Sequence, residues 1–148
     1  MLSVSWQDLS SRKVVPGKIW RGTVAGAIAA FIVDALIFFI ATAAFGHDLR
    51  VQVGSDPAAL TALNVGLIAI VVALAAVGAS LLLWLLGRLT SRPFLVFWIV
   101  AGAFFLLSLI PALATPGPGE TRATLFLLHL VTALSLTGVL TLLAGERD

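Results

Sequence analysis

Cysteine is absent from the 148 residues, which removes disulfides, thiolate metal sites and thiol catalysis. Charge is scarce as well: Asp, Glu, Lys and Arg make up 11% of the chain, against about a quarter in an ordinary soluble domain. The sequence also lacks a Gly-rich phosphate loop, a nucleophile elbow and a zinc-protease motif. No pair of catalytic carboxylates is evident, because every acid except Asp34 falls in a loop or a tail. Nine basic residues against seven acidic ones leave a formal charge of +2, too small an excess to read as nucleic-acid binding.

Apolar residues are plentiful, at 60% of the chain, with a mean hydropathy of +1.12. A water-soluble domain of this length has no interior large enough to hide them. A membrane-spanning helix needs about 20 apolar residues, so the chain accommodates four spans with short connections and no sizeable domain outside the bilayer.

The first apolar run, Gly22 to Phe45, follows Lys18 and Arg21 and is broken only by Asp34; with the preceding turn, the span is expected at about 19–45. Ala41, Thr42 and Ala43 have the look of a small-residue cleavage site. The run is nevertheless longer than a signal-peptide core and carries an acid, so it is expected to be an uncleaved span. The second run, Pro57 to Leu86, is expected to start at Asp56 as cap and Pro57 in the first turn. The third covers Phe94 to Ala114, with Pro111 loosening its last turn, and the fourth Thr121 to Leu143. The expected fold class is all-α, an integral membrane up-down four-helix bundle forming one domain over residues 18–145.

Basic residues set the orientation. Arg12, Lys13, Lys18 and Arg21 precede span one, Arg88 and Arg92 join spans two and three, and Arg147 ends the chain. The opposite loops hold only Arg50 and Arg122, so the positive-inside rule puts both termini in the cytoplasm. Trp20, Trp84 and Trp98 fall near the same boundary, where amphipathic rings favour the headgroup level. The expected location is the cell membrane.

Residues 1–17 form an N-terminal segment in which Leu2, Trp6 and Leu9 recur at helical spacing beside Arg12 and Lys13; an interfacial helix and a frayed tail both fit. In the first outer loop the alternation of Leu49, Val51 and Val53 suggests an extended piece, and His47 with Asp48 reads as a solvated pair. Pro116 to Gly119 reads as a plain turn. No internal repeat is evident.

From the outer loop to span four, the chain resembles the actinobacterial domain-of-unknown-function 6069 family. The residues that carry the likeness are Gly46 to Val51, the Gly87 to Arg92 turn, Trp98, Ser108-Leu109 followed by Pro111, and His129-Leu130. Span one with Asp34 lies outside it. The resemblance implies a four-helix membrane architecture and transfers no catalytic residue, since the family has no assigned activity.

Polar side chains inside hydrocarbon are the informative ones, because a charge at the bilayer centre costs at least about 2.5–3.5 kcal/mol on insertion scales. Asn64, Ser108 and His129 each lie seven residues inside an expected outer boundary, roughly 10 Å deep at helical rise. Asp34 lies eleven residues before Phe45, roughly 16 Å deep. The sharp expectation is a polar pocket in the outer half of the bundle, where Asp34 faces His129 and Asn64 and Ser108 form the rim. The plainer alternatives are an Asp34 bonded to a neighbouring helix and an imidazole or amide acting as interhelical glue. Gly22 and Gly26 form a small-xxx-small pair, weak grounds for dimerisation in so Ala-rich a chain. No spacing supports haem or another metal through His47 and His129, so no cofactor is expected.

Three functional readings remain open. The first is a non-enzymatic accessory or assembly subunit, or a small homo-oligomer, with the bilayer and other membrane chains or its own copies as partners. The second is a binding or transport module for a small amphiphile, ion or proton at Asp34 and His129. The third, a lipid-modifying membrane enzyme, rests on those two side chains alone.

Overall fold

Lipid tails accept no hydrogen bonds, so an apolar run that crosses a bilayer must satisfy its own backbone, and in a single chain without a closed barrel it does so as a helix. A computed structural model describes residues 6–52, 59–114, 116 and 118–146. Over these the chain runs α1 (Trp6–Ser11), β1 (Lys13–Val14), α2 (Pro16–Phe39, continued by a π-helical turn Ile40–Ala44), β2 (Arg50–Gln52), β3 (Leu60–Ala62), α3 (Val65–Leu89), α4 (Pro93–Ala114), α5 (Gly119–Ala144) and β4 (Gly145–Glu146). Four helices among the described residues, α2 with its π-turn and α3 to α5, are long and apolar enough to span a membrane. The protein is an all-α bundle in which consecutive spans pack side by side and α5 closes the ring on α2.

The helix starts follow from local chemistry. Pro16 opens α2 in its first turn, where a missing amide hydrogen costs nothing. The start of α3 corrects the expected span of 57–86. Residues 53–58, including Asp56 and Pro57, lie outside the described residues, and Leu60–Ala62 is a strand paired antiparallel with Arg50–Gln52. The helix begins at Val65, after Asn64, whose Oδ1 accepts from the Leu67 amide at 2.9 Å. Asn is among the best helix caps because its side-chain oxygen replaces the missing carbonyl of the preceding turn, and Asn64 outweighs the apolar character of residues 58–63. Pro111 leaves α4 helical to Ala114.

The faces turned outward are apolar, as lipid requires: Ile28, Ile32 and Leu36 on α2, Ile70, Leu74 and Leu81 on α3, and Phe104, Leu107 and Ile110 on α4 are all exposed. The inward stripe of α2 is Gly22, Gly26, Ala30, Asp34 and Ala41. At Gly22 and Gly26 it meets α5 so closely that an added Cβ would lie 3.3 and 3.6 Å from the Cα atoms of Leu140 and Leu136. The small-xxx-small pair thus serves packing within the chain. Between α2 and α3 the hydroxyls of Thr23 and Ser80 lie 2.5 Å apart. Between α4 and α5 the Trp98 indole N–H donates to Thr141 Oγ1 at 3.0 Å.

At one end of the bundle the two termini are zipped together, with β1 antiparallel to β4 and Lys18 paired with Glu146. The α1 helix is tucked under the bundle: Leu9 is 4% exposed and packs in a cluster with Ile19, Leu83, Phe94, Phe97, Leu140 and Ala144. Leu9 thus faces protein; Leu2 lies outside the described residues. Arg12 follows it inward and donates to the Thr141 carbonyl at 2.8 Å.

Candidate binding site

The seam between α2 and α5 changes character along its length. Read from the end where the termini pair, it passes from the Gly22 and Gly26 contacts to the buried Ala30, then to Asp34. Asp34 is 1% exposed. Its Oδ2 accepts from the Thr132 hydroxyl of α5 at 2.5 Å, while Oδ1 is buried without a hydrogen-bond partner. A carboxyl group at this depth is tolerated because the facing helix supplies a donor where lipid has none.

His129 lies three residues before Thr132 and so on the same face of α5. No hydrogen bond joins it to Asp34. The His129 Nδ1 is 2.7 Å from the Leu125 carbonyl, and since a carbonyl oxygen only accepts, Nδ1 carries the hydrogen and Nε2 is the ring's variable position. The direct partner of Asp34 is therefore Thr132, which a survey of Asn, Ser and His passed over because threonine is so readily absorbed by its own helix. Thr124, Thr137 and Thr141 do just that, each donating to a carbonyl one turn back.

The other two expected rim residues are placed elsewhere. Asn64 is exposed and occupied as the α3 cap, which lifts it out of the bundle. Ser108 donates to Phe105 O at 2.7 Å within its own helix. Neither is hydrogen-bonded to Asp34 or His129, so the polar layer of three helices reduces to a clasp between two.

Further outward the same seam opens. A cavity of about 370 Å³ is lined by Ile37, Ile40 and Ala41 of α2 and its π-turn, by Phe45 and His47 of the following loop, and by Glu120, Ala123, Thr124 and Leu127 of α5. Ile37 and Ala41 continue the face that carries Asp34, one and two turns on. The opening has a local cause. The π-turn widens α2 at Ile40–Ala44, Gly46 adopts a positive φ of 67°, and the His47 amide returns to Ala41 O at 3.0 Å. Such π-turns often mark functional positions.

His47 also departs from its expected role. Asp48 pairs with Arg50 at 2.9 Å, not with His47. The imidazole turns into the cavity wall, stacked on Phe45 with centroids 5.8 Å apart, and its Nδ1 is buried without a partner. No group of three or more His, Asp or Glu side chains converges as a metal site among the described residues.

A ring of four membrane-length helices with a polar clasp and an outer cavity defines a small multi-pass membrane protein. Residues 14–145 match the model of a family of unknown function, DUF6069, and the chain belongs to that family. No curated protein and no solved structure matches it.

Proposed function

We propose that this protein is a non-enzymatic binding module of the cell membrane that holds a small amphiphile in the outer part of the α2–α5 seam. The observation that carries the reading is an open groove of about 370 Å³, most of whose lining residues are exposed, so that a bound molecule lies against the bundle with one side turned toward lipid. It is walled almost wholly by apolar side chains, among them Ile37, Ile40 and Leu127, a lining that suits an alkyl chain.

Asp34 and Thr132 lie along the same seam below the groove and do not line it. Thr124 and Asp34 lie on facing helices, and the step from the Ala41–Thr124 level to the Asp34–Thr132 level is seven to eight residues, roughly 11 Å at helical rise. The clasp holds the helices together below the cavity while the π-turn holds them apart above it. Asp34 Oδ1, buried without a hydrogen-bond partner, keeps ion or proton binding at Asp34 as a variant of the same reading.

The basic residues at the zipped end support an orientation with both termini in the cytoplasm and the cavity facing outward. Single cysteines introduced into this cysteine-free chain at Ser11 and at Asp48 test it: a membrane-impermeant thiol reagent added to intact cells is expected to label the second and not the first.

The accessory-subunit reading retains one specific support: Gly78 on α3 and Gly102 on α4 face open space, where a partner helix has room to approach closely. Purification in mild detergent separates the two. A bound amphiphile in the intact mass spectrum, lost in Ala123→Leu, which fills the cavity, is the expected result. A stoichiometric partner chain and no small molecule would reject the binding reading in favour of the subunit.

A further inference from the structure

We propose that the end of the bundle where the termini pair carries a site for one anionic phospholipid, its phosphate held between Arg21 of α2 and Arg88 of α3. The Arg88 guanidinium lies over the Trp84 ring, 3.9 Å from its centroid, and that of Arg21 lies over the Trp20 ring at 5.5 Å. Both pairs belong to one seam. The Thr23 and Ser80 hydroxyls join α2 to α3. Trp20 stands three residues before Thr23 and Trp84 four after Ser80, so each indole shares the face that meets the other helix. Ile19 packs with Leu83, and Ala30 with Ile68 and Val72, so the two helices run antiparallel. Both steps therefore lead to the same end, by roughly 5 Å at helical rise. The indoles are 61% and 39% exposed, which puts them at the lipid-facing rim of the seam.

Tryptophan and arginine commonly anchor helix ends at a membrane boundary. The arrangement here goes further. A guanidinium lying on an indole has its face occupied and its N–H edge free, and that edge matches two phosphate oxygens. Neither Arg21 nor Arg88 has a carboxylate partner among the described residues, since Glu146 is taken by Lys18 and Asp48 by Arg50. Past the head, Val24 lies one turn beyond Trp20 and Leu81 one turn before Trp84; both are exposed and continue the rim as a track for an acyl chain. A lipid-facing rim is always covered by lipid, so only the choice of lipid is open. Two uncompensated cations make that choice, because the ammonium of a zwitterionic head would be repelled where an anionic head is held.

The test uses the full chain in micelles of a nonionic detergent, with phosphatidylglycerol and phosphatidylcholine of identical acyl chains at equal concentration, read by native mass spectrometry. Wild type is expected to retain one phosphatidylglycerol about tenfold better than phosphatidylcholine, the order of preference that two interfacial cations supply. Arg21→Lys combined with Arg88→Lys keeps the charge but loses the stacked fork, and should cut the preference to about twofold. Trp84→Leu should act in the same direction. Arg92→Gln, which removes a charge from the turn between α3 and α4, should leave the preference unchanged. Equal retention of the two lipids by wild type would overturn the site. So would a preference that survives the paired lysine substitutions, or one that falls as far in Arg92→Gln, since overall charge at this end would then account for it.

Discussion

The close approach of α2 to α5 can be tested by adding single methyl groups. At Gly22 a new Cβ would lie 3.1 Å from Leu140 Cδ2 and 3.3 Å from Leu140 Cα; at Gly26 the corresponding distances to Leu136 are 3.4 and 3.6 Å. The first pair is tighter than normal carbon contact and includes a backbone atom that no rotamer change can move. The second pair is ordinary contact. Replacing Gly by Ala in a helix favours the helix by about 0.5–1 kcal/mol, a gain that Gly26→Ala should keep. Gly22→Ala must also push the helices apart, and overpacking of a tight contact costs about 1–3 kcal/mol. The expected net effects are therefore a neutral to slightly stabilised Gly26→Ala and a Gly22→Ala destabilised by roughly 1 kcal/mol. Reversible unfolding in mixed micelles, followed by helicity, measures both against wild type. If the order is reversed, or if both substitutions gain equally, the two helices do not meet where the seam places them.

Three further outcomes follow from the same geometry. Thr132→Val removes the donor to Asp34 and should cost about 1 kcal/mol, whereas Asp34→Asn keeps an acceptor for Thr132 and should cost less; the opposite ranking in the micelle assay would mean that Thr132 is not the partner. Trp98→Phe should lose about 1 kcal/mol, and a double-mutant cycle with Thr141→Val should show coupling, since the indole N–H donates to Thr141 Oγ1; additivity within error would exclude that link. Asn64→Ala should destabilise by about 1 kcal/mol through loss of the α3 cap while leaving amphiphile retention unchanged; lost retention would return Asn64 to the binding site.

The four helices were legible because hydrophobicity at membrane length has few alternative solutions, and the bundle follows once short loops connect such helices. The α3 start was not. Residues 59–63 read Ala, Leu, Thr, Ala, Leu, apolar enough to pass for helix, and only the pairing with Arg50–Gln52 reveals a strand. The register of that pairing is not encoded in hydropathy. The burial of Leu9 was hidden for a similar reason: an amphipathic segment beside basic residues fits a membrane surface or a protein surface equally well, and the choice depends on the pocket that Phe94 and Phe97 provide.

At the site, the cost of a buried acid made Asp34 conspicuous. Depth counting then failed for Asn64, since it assumed that the polar residue lay inside the helix, when a polar residue with a free amide turn after it serves equally well as the start. His47 was missed because a histidine beside an aspartate in a loop resembles a solvated pair; the π-turn that carries Phe45 and His47 over the seam has no sequence signature of its own. The consequence is physical. Asp34 and the glycines mark where α2 and α5 touch, and the groove begins where the seam reaches the π-turn at Ile40–Ala44, two of whose residues, Ile40 and Ala41, line it.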